Sequence, residues 1–272
     1  MPQSASDPAA TALRIVSLAP NLTELAYQAG AGDQLVAVVE YSDYPEAAKA
    51  LPRIGDSFRI DFERLRQLNP DLILVWKSGN PVAMQERLTE MGFRLLVLEP
   101  QTLDDVAAHV RLIGQLAGTE NIAEAAAADY LAELDEIWKQ YAAPPDTRVF
   151  FQISALPWYT VNGSHLISQI LQRCGGSNVF ADLPVIAAAV SLESIIATDP
   201  EVIVAPVATV EESEWQRDWE RFSQVSAVRN RNFVSVDRDA VSRSSLRLAA
   251  AARHMCSELE RIRAQSLAKA NR

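Results

Sequence analysis

The chain has 272 residues, 49% hydrophobic and 22% charged, enough to build a real core in one large domain or two small ones. Its formal net charge of −10 repels nucleic acid and anionic lipid surfaces, which argues against DNA or RNA as a partner. No apolar run reaches the roughly 18 residues that a membrane-spanning helix needs, and no low-complexity tract or block of like charge marks a disordered tail.

The leading segment MPQSASDPAATA lacks a basic stretch and an apolar core, so it reads as a polar leader and not as a signal peptide. Either the protein is cytosolic, or a signal has been removed and a start Met added. Strand and helix patterns then alternate. Residues 14–18 form an apolar strand, followed by a helix capped by Asn21 or Thr23 and ended at Gly30, where a left-handed residue is expected. A strand over 35–39 and a helix over 62–68, stopped by Asn69 and Pro70, come next. The run 72–76 has no polar alternation, as in a parallel strand covered on both faces. A helix over 81–91 and a strand over 95–98 complete a parallel α/β lobe.

Two helices follow, over 103–116 and 121–141, the second closed by Ala142, Ala143, Pro144 and Pro145, which cannot continue it. Alternation resumes with strands over 149–153, 202–207 and 233–236 and helices over 166–173, 192–198 and 245–268. The expected class is α/β: two lobes with central parallel sheets, joined by one long helix. The boundaries are 13–118 for the amino-terminal lobe, 119–145 for the linking helix and 146–272 for the carboxy-terminal lobe. A rigid helix between lobes suits a nearly fixed cleft better than a wide hinge.

A faint duplication relates IDFERLRQLNPDLILV to VSLESIIATDPEVIVA. In each, a capping residue (Asp61, Ser191) is followed two positions later by Glu63 or Glu193, then by Pro70 or Pro200, an acid and an apolar strand. Acids in a first helical turn complement the macrodipole. Two equivalent carboxylates, one per lobe, also suit a two-fold partner that offers two basic pockets. Cys174 and Cys256, 82 positions apart, allow one disulfide or two buried free thiols.

The segments SLAPNLTELAYQAG, EYSDYP, NPDLILVWKSGN, the CGG after a helix and VSLESIIATDPEVIV resemble the cobalamin (vitamin B12)-binding members of the helical-backbone solute-binding family. These are periplasmic proteins of ABC importers, and the likeness runs from about Leu13 to Ile262. It implies two Rossmann-like lobes linked by a backbone helix over 121–141, a cargo held between the lobes with little closure, and delivery to a permease dimer that Glu63 and Glu193 dock upon. It also implies a disulfide between Cys174 and Cys256, and a periplasmic chain whose signal has been removed. No catalytic cofactor is implied, cobalamin being the transported ligand. The chain is expected to act as a monomer and to bind no nucleic acid.

A corrin ring is broad, flat and largely apolar, with an amide fringe, so it needs aromatic faces and a few donors and acceptors. Position by position, the resemblance puts Tyr41, Trp76 and Ser57, or its neighbour Phe58, in the amino-terminal part of the site, and Tyr159, with Asp239 and Arg243 on the loop before the last helix, in the carboxy-terminal part. Trp76, Tyr41 and the PWYT turn all follow predicted strands, where α/β folds bind ligands. The plainer alternatives are a Trp that packs at a strand end, a Tyr that closes a turn with Asp43 and Pro45, and an Arg that caps a helix or pairs with a surface acid. Two departures bear on the cargo. Ala188, in LPVIAAAVS, and Ser57 replace aromatics found in some members, and Trp158 on the facing turn offers a substitute. Another corrinoid, haem or a ferric siderophore is the alternative cargo, with Tyr41, Tyr159 and His165 as possible haem-facing groups.

An enzyme is disfavoured, because the sequence holds no nucleophile elbow, phosphate loop or dinucleotide fingerprint, and no His in a D-x-H-x-x-G context. Direct metal binding is also disfavoured: His109, His165 and His254 each stand alone, apart from Cys256 two positions after His254.

Overall fold

The computed structural model describes residues 13–144, 146–155, 157–208 and 213–270. The leader MPQSASDPAATA and Pro145 of the helix-stop signal lie outside the described residues. Two compact units divide the chain. The amino-terminal unit runs to Glu99 and takes up His109–Ala126; the other holds Pro100–Ala108 and the chain from Ala127 onward.

The amino-terminal unit is built from β1 (Ile15–Ser17), α1 (Pro20–Gln28), β2 (Leu35–Val38), α2 (Phe62–Leu68), β3 (Leu72–Trp76), α3 (Val82–Glu90) and β4 (Leu95–Leu98). Its strands form a parallel sheet in the order β2-β1-β3-β4. The unalternating run Leu72, Ile73, Leu74, Val75 is fully buried, because the central strand is covered on both faces. Val16, Ile54, Leu65, Ile73, Val75 and Leu88 share one core, each such side chain contributing about 1.5–3 kcal/mol through burial.

The start of α1 differs from the sequence expectation. Neither Asn21 nor Thr23 caps it: the N-cap is Ala19, without a side-chain bond, and Pro20 follows at the first position. Proline's fixed φ and missing N–H suit that place. Thr23 instead sits buried with its hydroxyl 2.9 Å from Ser17 Oγ and 3.1 Å from Ser42 Oγ. At the other end, Gly30 adopts the expected left-handed conformation, φ +77°.

Helices α4 (Leu103–Ala117) and α5 (Glu120–Tyr141) each begin in one unit and end in the other. With 22 residues, α5 is the long helix expected, about 33 Å at 1.5 Å per residue. Their shared corner is fastened to the amino-terminal unit by Thr119 Oγ1 donating to Ala29 O at 2.6 Å and Gln34 Nε2 donating to Ala117 O at 2.8 Å.

The second unit continues with β5 (Thr147–Phe151), β6 (Ser154–Ala155), β7 (Trp158–Val161), α6 (Leu166–Arg173), β8 (Gly176–Asn178), β9 (Ala187–Ala189), α7 (Leu192–Thr198), β10 (Val202–Val207), α8 (Ser226–Asn230), β11 (Phe233–Asp237), α9 (Arg238–Ser242) and α10 (Leu248–Ala270). Among the described residues its main sheet is parallel, in the order β11-β10-β5-β8, and β6-β7-β9 form a small antiparallel sheet. The first strand here is shifted from the expected 149–153, and Asp239 lies on the short α9 and not on a loop, with Arg243 as its C-cap. Asp237 makes that helix possible by accepting hydrogen bonds from the N–H groups of Asp239 and Ala240. Cys174, at the C-cap of α6, is disulfide-bonded to Cys256 of α10.

Candidate functional site

In the amino-terminal unit, the candidate residues stand at the carboxyl ends of β2 and β3. Tyr41 follows β2 and is 77% exposed, on a left-handed backbone with φ +64°. An aromatic residue there is strained by about 1–3 kcal/mol and persists only where its surroundings enforce it. Its neighbour Ser42 supplies that enforcement: it is fully buried, lies against Thr23, and its carbonyl accepts from Arg53 Nη2 at 2.9 Å. Arg53 Nη1 also donates to Leu51 O and Ala48 O, so one guanidinium braces the whole 42–53 loop.

Phe58, 70% exposed, caps a tight turn. Asp56 Oδ1 accepts from Phe58 N at 2.7 Å and Arg59 N at 2.8 Å, which fixes the backbone of the turn. Gly55, φ +122°, permits the turn, since a Cβ there would strike Arg59 O. Trp76 closes β3 and is partly buried, with its indole lying over Gly79, where any Cβ would overlap the ring. Ser57 and Trp76 come together: the side chain of Asn80 bonds Ser57 O and Trp76 N. Two exposed aromatic side chains and a half-buried indole therefore stand on fixed loops, which is what a flat apolar ligand requires.

In the second unit, Tyr159 is 39% exposed on β7. Trp158, one position earlier, is half-buried and leans on Trp219 with ring centroids 4.6 Å apart. Asp239 and Arg243 form an ion pair at 3.3 Å, with Arg243 largely buried and Asp239 half-exposed. The plainer alternative of an Arg paired with an acid is thus realised, and it leaves the outer edge of Asp239 available to a polar ligand.

Beside these residues lies a cavity of about 330 Å³, lined by Phe151, Ile153, Val161, His165, Arg238 and Val241 among others. His165 is the N-cap of α6: its Nδ1 accepts from Ile167 N at 3.2 Å. Burial pushes the imidazole down to about 4, so at neutral pH it is uncharged and its proton sits on Nε2. In that tautomer the ring offers its Nε2–H as a hydrogen-bond donor. Above the unfolded value near 6.5 neither state is protonated; as pH falls from there toward 4 only the unfolded chain takes the proton. We therefore expect wild-type protein to lose as much as about 3 kcal/mol more stability between pH 7 and pH 4 than His165→Asn, which keeps a capping oxygen. Urea melts across that range test this, and parallel losses in the two proteins would overturn it.

Glu63 and Glu193 occupy twin sites. Each is exposed in the first turn of a seven-residue helix, α2 or α7, capped by Asp61 or Ser191. Each helix ends on a left-handed residue, Asn69 at φ 44° and Asp199 at φ 42°. The Glu193 carboxyl is held below its ordinary value by its own backbone N–H and the Ser191 hydroxyl.

Sequence reasoning missed Asn80 and Arg53, which carry no ligand chemistry of their own, and exposed Val185 and Ile186 next to β9. Asn80 and Arg53 lie among turn-type residues (Lys77, Ser78, Gly79 and Pro81; Pro52, Gly55 and Asp56), where a bracing side chain has no pattern to mark it, and Val185 and Ile186 are an apolar pair in a loop. Among the described residues no group of three or more His, Cys, Asp or Glu could hold a metal ion, and no helix is long and apolar enough to cross a membrane.

The periplasmic binding protein family matches residues 15–240, and the chain belongs to it. Members of this family bind solutes and are not enzymes. A Vitamin B12-binding protein of Vibrio cholerae serotype O1 is 35% identical over 247 residues, which cover 91% of this chain and 89% of that protein. One from Pectobacterium atrosepticum is 36% identical over 255 residues, covering 92% and 89%. Among solved structures, the periplasmic Vitamin B12 binding protein BtuF of Vibrio cholerae is similar with a TM-score of 0.85 at 34% identity, over 93% of this chain and 98% of that one. The α/β class with parallel sheets and a long helix agrees with that neighbour.

Proposed function

We propose that the chain is a periplasmic solute-binding protein that captures cobalamin and delivers it to the permease dimer of an ABC importer. What supports this assignment is the 35% identity, across 91% of the chain, with a Vitamin B12-binding protein. The exposed aromatic side chains are its physical counterpart. Tyr41, Phe58 and Trp76 offer apolar faces from the amino-terminal unit, and Ser57 a hydroxyl. Trp158 and Tyr159 do the same from the other unit, while Asp239 and Arg243 supply an acceptor and a donor for corrin amides. Glu63 and Glu193 serve a different partner. Two exposed carboxylates, one per unit on equivalent helices, suit a two-fold permease with paired arginines. The protein acts as a monomer in this scheme.

Calorimetric titration with cyanocobalamin, with hemin and cobinamide in parallel, tests the cargo. One-to-one cobalamin binding is expected, weakened about tenfold or more by Trp76→Ala, since aromatic anchors carry a large share of such affinities. Glu63→Ala should bind as tightly as wild type and yet lose affinity for permease vesicles. Binding of hemin in place of cobalamin would overturn the cargo.

A further inference from the structure

We infer that Asn80 is a positioning residue that fixes the ligand-facing loops of the amino-terminal unit; this rests on the cobalamin-binding reading proposed above. Asn80 is 3% exposed and its side chain makes three hydrogen bonds to three separate segments. Oδ1 accepts from Trp76 N at 2.7 Å, where β3 ends. Nδ2 donates to Leu18 O at 2.9 Å, just beyond β1, and to Ser57 O at 2.8 Å, beside Phe58. An amide has one acceptor oxygen and two donor hydrogens, so this set uses the group in full. No other side chain of that size offers both functions, and even Asp would set a carboxylate against two carbonyl oxygens.

The turn that carries Asn80 is itself closed. Asn80 N donates to Trp76 O at 2.9 Å, Lys77 N to Leu98 O at 3.0 Å, and Ser78 N to Glu99 Oε2 at 2.8 Å. Gln85 Nε2 donates to the Asn80 carbonyl at 2.9 Å. Gly79 adds the indole's resting place on the backbone. Trp76 and the Ser57–Phe58 loop are therefore fixed relative to one another before any ligand arrives. A site ordered in advance loses less entropy on binding.

The test is Asn80→Ala, with Asn80→Ser, which keeps a small uncharged polar group, as a second variant should the first fail to fold, and Thr119→Val as a control that removes a hydrogen bond from a different part of the same unit. Two readouts are needed. The first uses no ligand: fluorine NMR of protein labelled with 5-fluorotryptophan, the Trp76 signal assigned with Trp76→Phe. Asn80 variants should shift and broaden Trp76 while the other four tryptophans keep their positions. The second is cyanocobalamin affinity, which should fall about tenfold or more beyond any loss in Thr119→Val at matched change in Tm. An unmoved Trp76 signal, or an affinity loss no larger than the control's, overturns the inference. If wild-type protein binds no cobalamin, the cargo assignment falls, while the fluorine spectra still decide the role of Asn80.

Discussion

Replacing Cys174 and Cys256 together by alanine is expected to lower the unfolding free energy by about 4 kcal/mol, the loop-closure contribution of a cross-link spanning 82 residues. Both cysteines are fully buried, with Cα atoms 4.8 Å apart, so alanine fits both places without leaving buried hydroxyls. The bond ties the last residue around α6 to the middle of α10, and Arg263 Nη1 donates to Cys174 O at 2.5 Å in the same corner. His165, at the other end of α6, stands about 13 Å away along the helix axis, nine residue steps from Cys174. The cavity beside β7 is thus remote from the cross-link. Urea denaturation should show the midpoint falling, while the folded variant keeps cyanocobalamin affinity within a few-fold. A loss below about 1.5 kcal/mol would mean that the α6–α10 packing alone holds this corner.

The second large effect is expected at Trp219. This indole is fully buried, with ring centroids 4.6 Å from Trp158, 5.9 Å from Phe222 and 6.0 Å from Phe150. Its Nε1 donates to Gln152 Oε1 at 2.8 Å, and Gln152 is itself buried. Trp219→Ala should cost about 3–5 kcal/mol in lost burial and cavity formation. Leaving the Gln152 oxygen without a donor adds about 1–3 kcal/mol. Trp219→Phe keeps most of the volume and loses the bond, so it should cost about half as much. Chemical denaturation of the two variants separates the contributions, and equal losses would show that the Gln152 bond contributes most of the effect. Because Trp158 leans on this ring, the alanine variant should also loosen β7 and with it Tyr159.

Much of this architecture is legible in the residues. Leu72–Trp76 and Val202–Val207 run as expected, since central parallel strands covered on both faces leave a plain apolar signature. The duplicated helices are legible at both ends: Asp61 and Ser191 cap them, and Asn69 and Asp199 take the left-handed stop ahead of a proline. The small sheet of β6, β7 and β9 is not legible. Its strands have two to four residues, too few to establish a period, and they pair across loops. The candidate ligand residues divide the same way. Aromatic residues after strands announce themselves, whereas Asn80 is defined by three carbonyl and amide groups that sequence distance hides. Asp239 and Arg243 were expected on a loop, because the one turn of α9 is too short to carry amphipathic periodicity.

The way α4 and α5 divide between the units bears on the order in which the molecule can be completed. Residues 109–126 belong with a sheet that ends at residue 98, so the first unit waits for the ribosome to deliver the start of α5. Residues 100–108 emerge early and wait longer, for a sheet whose first strand begins at Thr147 and whose last ends at Asp237. Folding in order of synthesis, unit by unit, therefore leaves one short segment uncommitted through about half of translation. For the same reason, no single cut in the gene yields both units whole.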